Sequence, residues 1–286
     1  MCDDRVPSHD KPHTLCYTVL LAVRAMLTPP LPVIFRRTQI MCPMHHPNLV
    51  RLHGGVWNEG ADKLCIVLEL CANGSLNDFL QPLTPVPWEL GYSLVLGAAK
   101  GLRYLHHELA EPLIHRDIKP DNIMVDAARV AKLADFGESR HFDTRQAQKD
   151  ANDDIGGDAL TMTVAGTGLY MAPEVACGER YNESADTFSF ALVLLSIAVG
   201  DITDTLSSAP RPFLATTYYS GKRPDIPVWM STDMPELEKL IERMWSGNIR
   251  LRPSMEGVVS VLESLAPAGA QSLDLWPATQ NDAATS

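Results

Sequence analysis

Three short segments in fixed order constrain this chain more than anything else in it: HRDIKPDN at 115–122, DFG at 135–137 and APE at 172–174. Between the first two lie the apolar runs Ile123–Val125 and Val130–Leu133, which read as short strands around a turn at Asp126–Ala128. Taken singly, each tripeptide says little. A lone HRD is ordinarily an N-cap or a surface turn, and a lone DFG is often the turn of a hairpin. In this order, with a hairpin between the first two, the joint risk of a false match is low.

The surrounding pattern is a strand-containing first third followed by a mostly helical remainder, without internal repeats. Residues 64–70 read as a buried strand leading into a connection at CANGS. Over residues 88–107, Leu90, Leu94, Ala98, Leu102 and Leu105 recur at the spacing of a helix with one buried face. Asp186 opens a nearly all-apolar helix and Pro235 an amphipathic one, while residues 138–163 are acidic, Gly-containing and read as a long loop. The expected divisions are a loose terminus over 1–14, a domain over 15–264 and a disordered Ala/Pro/Ser/Thr-rich tail over 265–286.

A formal net charge of −11 argues against a nucleic-acid partner, whose phosphates call for a basic face. No Lys/Arg-rich run suggests an anionic membrane surface. The six cysteines lack paired spacing, which favours a reduced chain over a disulfide framework. The apolar stretch Leu15–Val23 follows an acidic leader unlike a signal peptide, and Thr187–Val199 is too short to span a bilayer. The expectation is a soluble, cytoplasmic protein. The histidine pairs His45–His46 and His106–His107 are not read as metal sites, because neighbours on a helix point to different faces. His106 and His107, at the end of the helix before the HRD segment, are expected to be solvated or capping.

With its three motifs in order, the chain resembles the eukaryotic protein kinases, over roughly residues 64–262. The resemblance implies an α+β, two-lobed kinase fold: a small β-rich lobe to about Glu69, a hinge at 69–71 and a helical lobe to 264. It implies ATP and Mg²⁺ as cofactors and a protein as substrate. Phosphoryl transfer is chiefly positioning and charge neutralisation, so such a site needs metal-binding carboxylates and a base beside the substrate hydroxyl. Asp117 matches the base, Asn122 and Asp135 the metal ligands, and Lys119 the lysine that meets the γ-phosphate in serine/threonine-type kinases. Thr167, in GTGLYMAPE at 166–174, matches the threonine that tethers base and lysine. Glu174 is expected to pair with Arg252, and Asp186 to anchor the catalytic-loop backbone; both are structural roles, as are those of His115 and Phe136 in a buried stack. GKRPDIP at 221–227 resembles a connection common in the tyrosine-kinase-like group of serine/threonine kinases.

By the same resemblance, HPNLVRLHGG at 46–55 is the segment between the αC helix and the next strand. Leu68 is then the gatekeeper, and Glu69 to Cys71 form the hinge whose backbone meets adenine. Ser75 or Asp78 approaches the ribose, and Met124 packs beneath adenine.

The small lobe departs from the family pattern. The first glycine of the chain is Gly54, so no Gly-rich phosphate loop precedes it. AVRAM at 22–26 places Arg24 where the ATP-binding lysine belongs, and Arg37 falls where the αC glutamate belongs. No Asp or Glu occurs between Lys11 and Asn58, so the usual Lys–Glu ion pair cannot form there. Two readings follow: sequence is missing before Met1, or the kinase has diverged. The function implied is transfer of the ATP γ-phosphate to Ser or Thr of proteins, and the alternative is a pseudokinase or scaffold with weak or no turnover. Thr144, Thr161 and Thr163 lie between DFG and APE, and a phosphate on Thr161 or Thr163 paired with Arg116 is a candidate control.

Overall fold

The computed structural model describes residues 37–57, 64–83, 86–141, 167–199 and 214–266. The expectations for the loose terminus, the 22–26 strand with Arg24, Thr144, Thr161, Thr163 and all but the first two residues of the tail fall outside the described residues.

The described part of the small lobe is a short helix, α1, over 37–41 and a two-stranded antiparallel hairpin of β1 (Leu52–Trp57) and β2 (Leu64–Leu68). Pro43, two residues past α1, cannot continue it. Its inward side chains Ile40 and Met41, with Met44 just beyond, are buried in the same core as the helical lobe. The expected strand over 64–70 ends at Leu68, because Glu69 and Leu70 turn into the connection.

The helical lobe opens with α2 (Leu76–Leu80), capped by Ser75, whose hydroxyl accepts from the Asp78 N–H at 3.2 Å. Next, α3 (Trp88–Arg103) buries Leu94, Val95, Ala98, Ala99 and Leu102. Its expected continuation to 107 is present but widens to a π-type turn over Tyr104–Glu108, with the Leu109 N–H bonded back to the Tyr104 carbonyl. Two short antiparallel pairings follow: β3 (Leu113–Ile114) with β6 (Arg140–His141), and β4 (Ile123–Val125) with β5 (Ala131–Leu133).

The remaining helices are α4 (Pro173–Ala176), α5 (Ser184–Val199), α6 (Leu214–Tyr219), α7 (Val228–Asp233), α8 (Pro235–Met244) and α9 (Met255–Ser264). Nearly every residue of α5 is buried, as an apolar helix at the centre of a domain must be. α8 buries Leu237, Leu240, Ile241 and Met244, one stripe at helical spacing, against α5. α9 packs its face of Met255, Val258, Val259 and Leu262 on α3. No described helix is long and apolar enough to cross a membrane.

The two lobes are joined where residues 48–50 run beside β5. The Leu133 N–H donates to the Asn48 carbonyl and the Val50 N–H to the Leu133 carbonyl, both at 2.9 Å, and the Asn48 amide donates to the Ala131 carbonyl. This approach is close enough that a Cβ on Gly101 of α3 would lie 2.7 Å from the Asn48 carbonyl oxygen. Lys132, itself buried, holds two segments of the small lobe against β5: its ammonium donates to the Pro47 carbonyl at 2.9 Å and pairs with Glu69, where the chain enters the helical lobe, at 2.9 Å.

Deeper in the helical lobe, Glu174 and Arg252 pair as expected. The guanidinium meets both carboxylate oxygens, at 2.6 and 2.9 Å, and also donates to the Ser184 and Ser246 carbonyls. Both side chains are almost wholly removed from solvent, and the guanidinium lies 4.9 Å from the Phe188 ring centre. Arg252→Met leaves a buried carboxylate without its partner. It should lower the unfolding free energy by about 3–5 kcal/mol in urea denaturation, whereas a loss below about 1 kcal/mol would make the pair no stronger than a surface contact.

Candidate active site

The HRD segment leaves β3 and immediately takes a conformation that an isolated peptide avoids. Arg116 has φ 71°, in the left-handed region that costs a residue with a Cβ about 1 kcal/mol or more. One buried carboxylate compensates. Asp186, in the first turn of α5, accepts the His115 N–H on Oδ2 at 2.7 Å and the Arg116 N–H on Oδ1 at 2.8 Å. Its Oδ2 also accepts from His106 Nε2 at 2.8 Å. Burial is the largest influence on Asp186 and opposes its charge. The hydrogen bond and electrostatic attraction of His106, with those of His115, nevertheless hold the carboxyl below its ordinary value.

His106 was expected to be solvated or capping, and here the structure corrects the expectation. It is buried, with Nε2 on Asp186 and Nδ1 without a partner. The reason is positional: it follows Leu102 by four residues on the buried face, while its neighbour His107 is exposed.

His115 ties the loop to the DFG segment. Its Nε2–H donates to the Ala134 carbonyl at 2.9 Å, which leaves Nδ1 to accept the Asp117 N–H at 3.4 Å, and its ring lies 5.2 Å from that of Phe136. The expected stack of His115 and Phe136 is therefore present, with both residues buried.

The structure brings Asp117, Lys119 and Asn122 together. Lys119 Nζ lies 2.8 and 3.1 Å from the two Asp117 carboxylate oxygens, and the Asn122 amide nitrogen donates to Asp117 Oδ2 at 2.7 Å and to its carbonyl at 2.8 Å. Asp135 stands apart with φ 57° and a half-exposed side chain whose Oδ1 accepts the Gly137 N–H at 3.3 Å. The donor chemistry fits Mg²⁺, which takes oxygen ligands. Asn122 has committed its NH₂ end to Asp117, so its carbonyl oxygen is the end left to coordinate, and the partners of the Asp135 carboxylate, Gly137 N–H at 3.3 Å and Arg37 at 3.5 Å, both lie on Oδ1. Thr167 opens a single 3₁₀ turn, Thr167–Leu169, and its side chain lies outside the described atoms.

The predicted adenine and ribose contacts also gather, with different duties. The Glu69 side chain accepts the Arg51 N–H on Oε2 at 3.1 Å and binds Lys132 through Oε1, and its own N–H donates to the Arg51 carbonyl at 2.8 Å, so it fastens the segment at 69–71 to β5 and to the start of β1. Cys71 is buried, and burial, followed by the Glu69 charge, pushes its thiol up to about 11. Ser75 pairs with Met124 across an isolated β-bridge, which sets Met124 under the connection. The Ser75 hydroxyl is occupied as a cap and donates to Asp78 Oδ2 at 2.7 Å, leaving exposed Asp78 as the more accessible of the two.

Sequence reasoning did not anticipate what Arg37 does. Its Nη2 lies 3.5 Å from Asp135 Oδ1, and its guanidinium is laid against Gly137, where an added Cβ would collide with it. The signal was the stretch without carboxylates from Lys11 to Asn58, which leaves Arg37 no acidic partner near it in sequence.

The family model for the protein kinase domain matches residues 29–261, and the chain belongs to the protein kinase family. It is 34% identical over 238 residues to cysteine-rich receptor-like protein kinase 27 of Arabidopsis thaliana, covering 79% of this chain and 35% of that one. It is also 34% identical over 232 residues to the dual specificity protein kinase shkA of Dictyostelium discoideum, covering 80% and 41%. Receptor-like protein kinase 7 of Arabidopsis thaliana is 31% identical over 254 residues, covering 80% and 24%. The chain thus spans well under half the length of these curated relatives.

Because the Asp186 carboxyl is held low, its charge contributes stability that is complete above about pH 4 and is lost as pH falls through the lowered folded value. The urea midpoint difference between the wild type and Asp186→Asn should stay constant from pH 7 to about pH 4 and shrink below it; a difference that widens in acid would reverse this sign. The raised Cys71 thiol should alkylate with iodoacetamide roughly a hundredfold more slowly than exposed Cys42 and Cys177, by mass mapping. Equal rates would mean that the hinge opens freely.

Proposed function

We propose that this chain transfers the γ-phosphate of ATP to serine or threonine hydroxyls of a protein substrate, with Mg²⁺ as the accompanying ion. The observation that carries the reading is the Asp117–Lys119–Asn122 cluster, set on a loop that Asp186 fixes by two backbone hydrogen bonds. MgATP, when bound, supplies the phosphoryl group and the metal charge. The chain's own part is positioning and proton handling. Asp117 receives the proton of the attacking hydroxyl, and Asn122 holds its carboxylate in one orientation. Lys119, already 2.8 Å from that carboxylate, brings a positive charge beside the place where negative charge gathers. Asp135 and Asn122 would hold the metal, and the 69–71 backbone with Met124 would receive the base.

Three further observations support the finer assignment. Lys119 in HRDIKPDN and GKRPDIP at 221–227 favour serine/threonine specificity within the tyrosine-kinase-like group. The relatives named above are all kinases by name, which gives the scaffold alternative no support. The free thiols of Cys42, Cys71 and Cys177 are in keeping with a reducing, cytoplasmic compartment.

Incubation with γ-labelled ATP and Mg²⁺ should label a Ser/Thr peptide mixture and leave a tyrosine mixture unlabelled. Asp117→Asn should lower the rate about 10²–10⁴-fold with an unchanged melting temperature. Equal labelling by the wild type and Asp117→Asn would overturn the assignment of the base.

A further inference from the structure

Among the described cationic groups around the HRD and DFG segments, most are committed. Lys119 is bonded to both oxygens of Asp117, and Lys132 to Pro47 and Glu69. Arg116 donates to the Glu138 carbonyl and lies 5.2 Å from the Tyr181 ring. Arg37 differs. Among the described residues its one ion-pair partner is Asp135, at 3.5 Å, and its Nε is buried without a hydrogen-bond partner. A guanidinium carries five donors, so among the described residues most of those on Arg37 are unspent, beside a carboxylate that would hold the metal.

On this evidence we infer that Arg37 is a phosphate-binding residue of the cleft, paired with Asp135 when the site is empty and transferred to the nucleotide's phosphates when the metal takes that carboxylate. The inference rests on the kinase reading above. Its energetic basis is the looseness of the resting pair. Two side chains 40% and 49% exposed and 3.5 Å apart hold each other only weakly, because water screens the pair. Such a contact cannot withhold Asp135 from a divalent cation, so it is no latch. With Asp135 holding a metal, its charge would be offset, and the guanidinium would be free to turn to the nucleotide's phosphates. A planar fork suits phosphate oxygens. The position is also fixed: α1 is anchored by buried Ile40 and Met41, and Gly137 offers no Cβ to hold the guanidinium off the DFG turn.

The test is isothermal titration of the full chain and of Arg37→Ala and Arg37→Lys with two probes, adenosine and MgATP. Adenosine has no phosphate, so its affinity should be the same within about twofold in all three and certifies the fold of the variants. MgATP should bind Arg37→Ala roughly ten- to a hundredfold more weakly than wild type, with Arg37→Lys recovering part of the loss. Unchanged or tighter MgATP binding in Arg37→Ala, with adenosine binding intact, overturns the proposal and leaves the nucleotide site standing; the tighter result would mean that Arg37 obstructs the metal. If the wild type binds neither probe, the kinase reading itself fails and takes this role of Arg37 with it.

Discussion

A carboxylate removed from water is costly unless each of its lone pairs is used, and Asp186 uses them on the one stretch of backbone that most needs holding. The HRD turn places Arg116 at positive φ, so without outside support the loop would relax and Asp117 would leave its place. Asp186 sits at the start of α5, a helix whose apolar residues are buried on all sides. The position of Asp117 is therefore inherited from the packing of the helical lobe. His106 completes the arrangement from α3's last wide turn, so three elements distant in sequence converge on two oxygens.

Much of this was legible in the sequence because it was carried by periodicity and by motif. The apolar runs of α3, α5 and α8 declared their buried faces, and the strands at 123–125 and 131–133 fell within one residue of expectation. Glu174, Arg252 and Asp186 did what the resemblance implied. What remained hidden depended on which atom a side chain addresses. The resemblance gave Ser75 or Asp78 to the ribose, and only the backbone of α2 shows that the Ser75 hydroxyl caps. His106 looked polar and terminal, but the helix extends past it and turns it inward. Arg37 could be seen to lack a local acid, yet its meeting with Asp135, 98 positions further on (135 − 37), is a fact of tertiary structure.

Glu174 and Arg252 show a second way to stabilise the same lobe. Their fork is satisfied on every side, with carbonyls taking the spare donors and Phe188 lying against the guanidinium plane. A pair of this kind contributes little net attraction over an apolar substitute but strongly penalises losing one member. It thereby fixes α4, which carries Pro173 and Glu174 of the APE segment, relative to the loop that leads into α9.

The ammonium of Lys132 has a mechanical meaning. The segment at Pro47 belongs to the small lobe and Glu69 begins the passage into the helical lobe, and a single buried cation grips both while its backbone belongs to β5. Two segments bound to one point resist shear and twist together, so the joint behaves as a weld. Hinge motion is absorbed by the few residues free to change their dihedrals, and here those nearest the weld are already spoken for. Whatever the small lobe does on meeting a ligand, its base at Pro47 and Glu69 is tied to the same strand of the helical lobe.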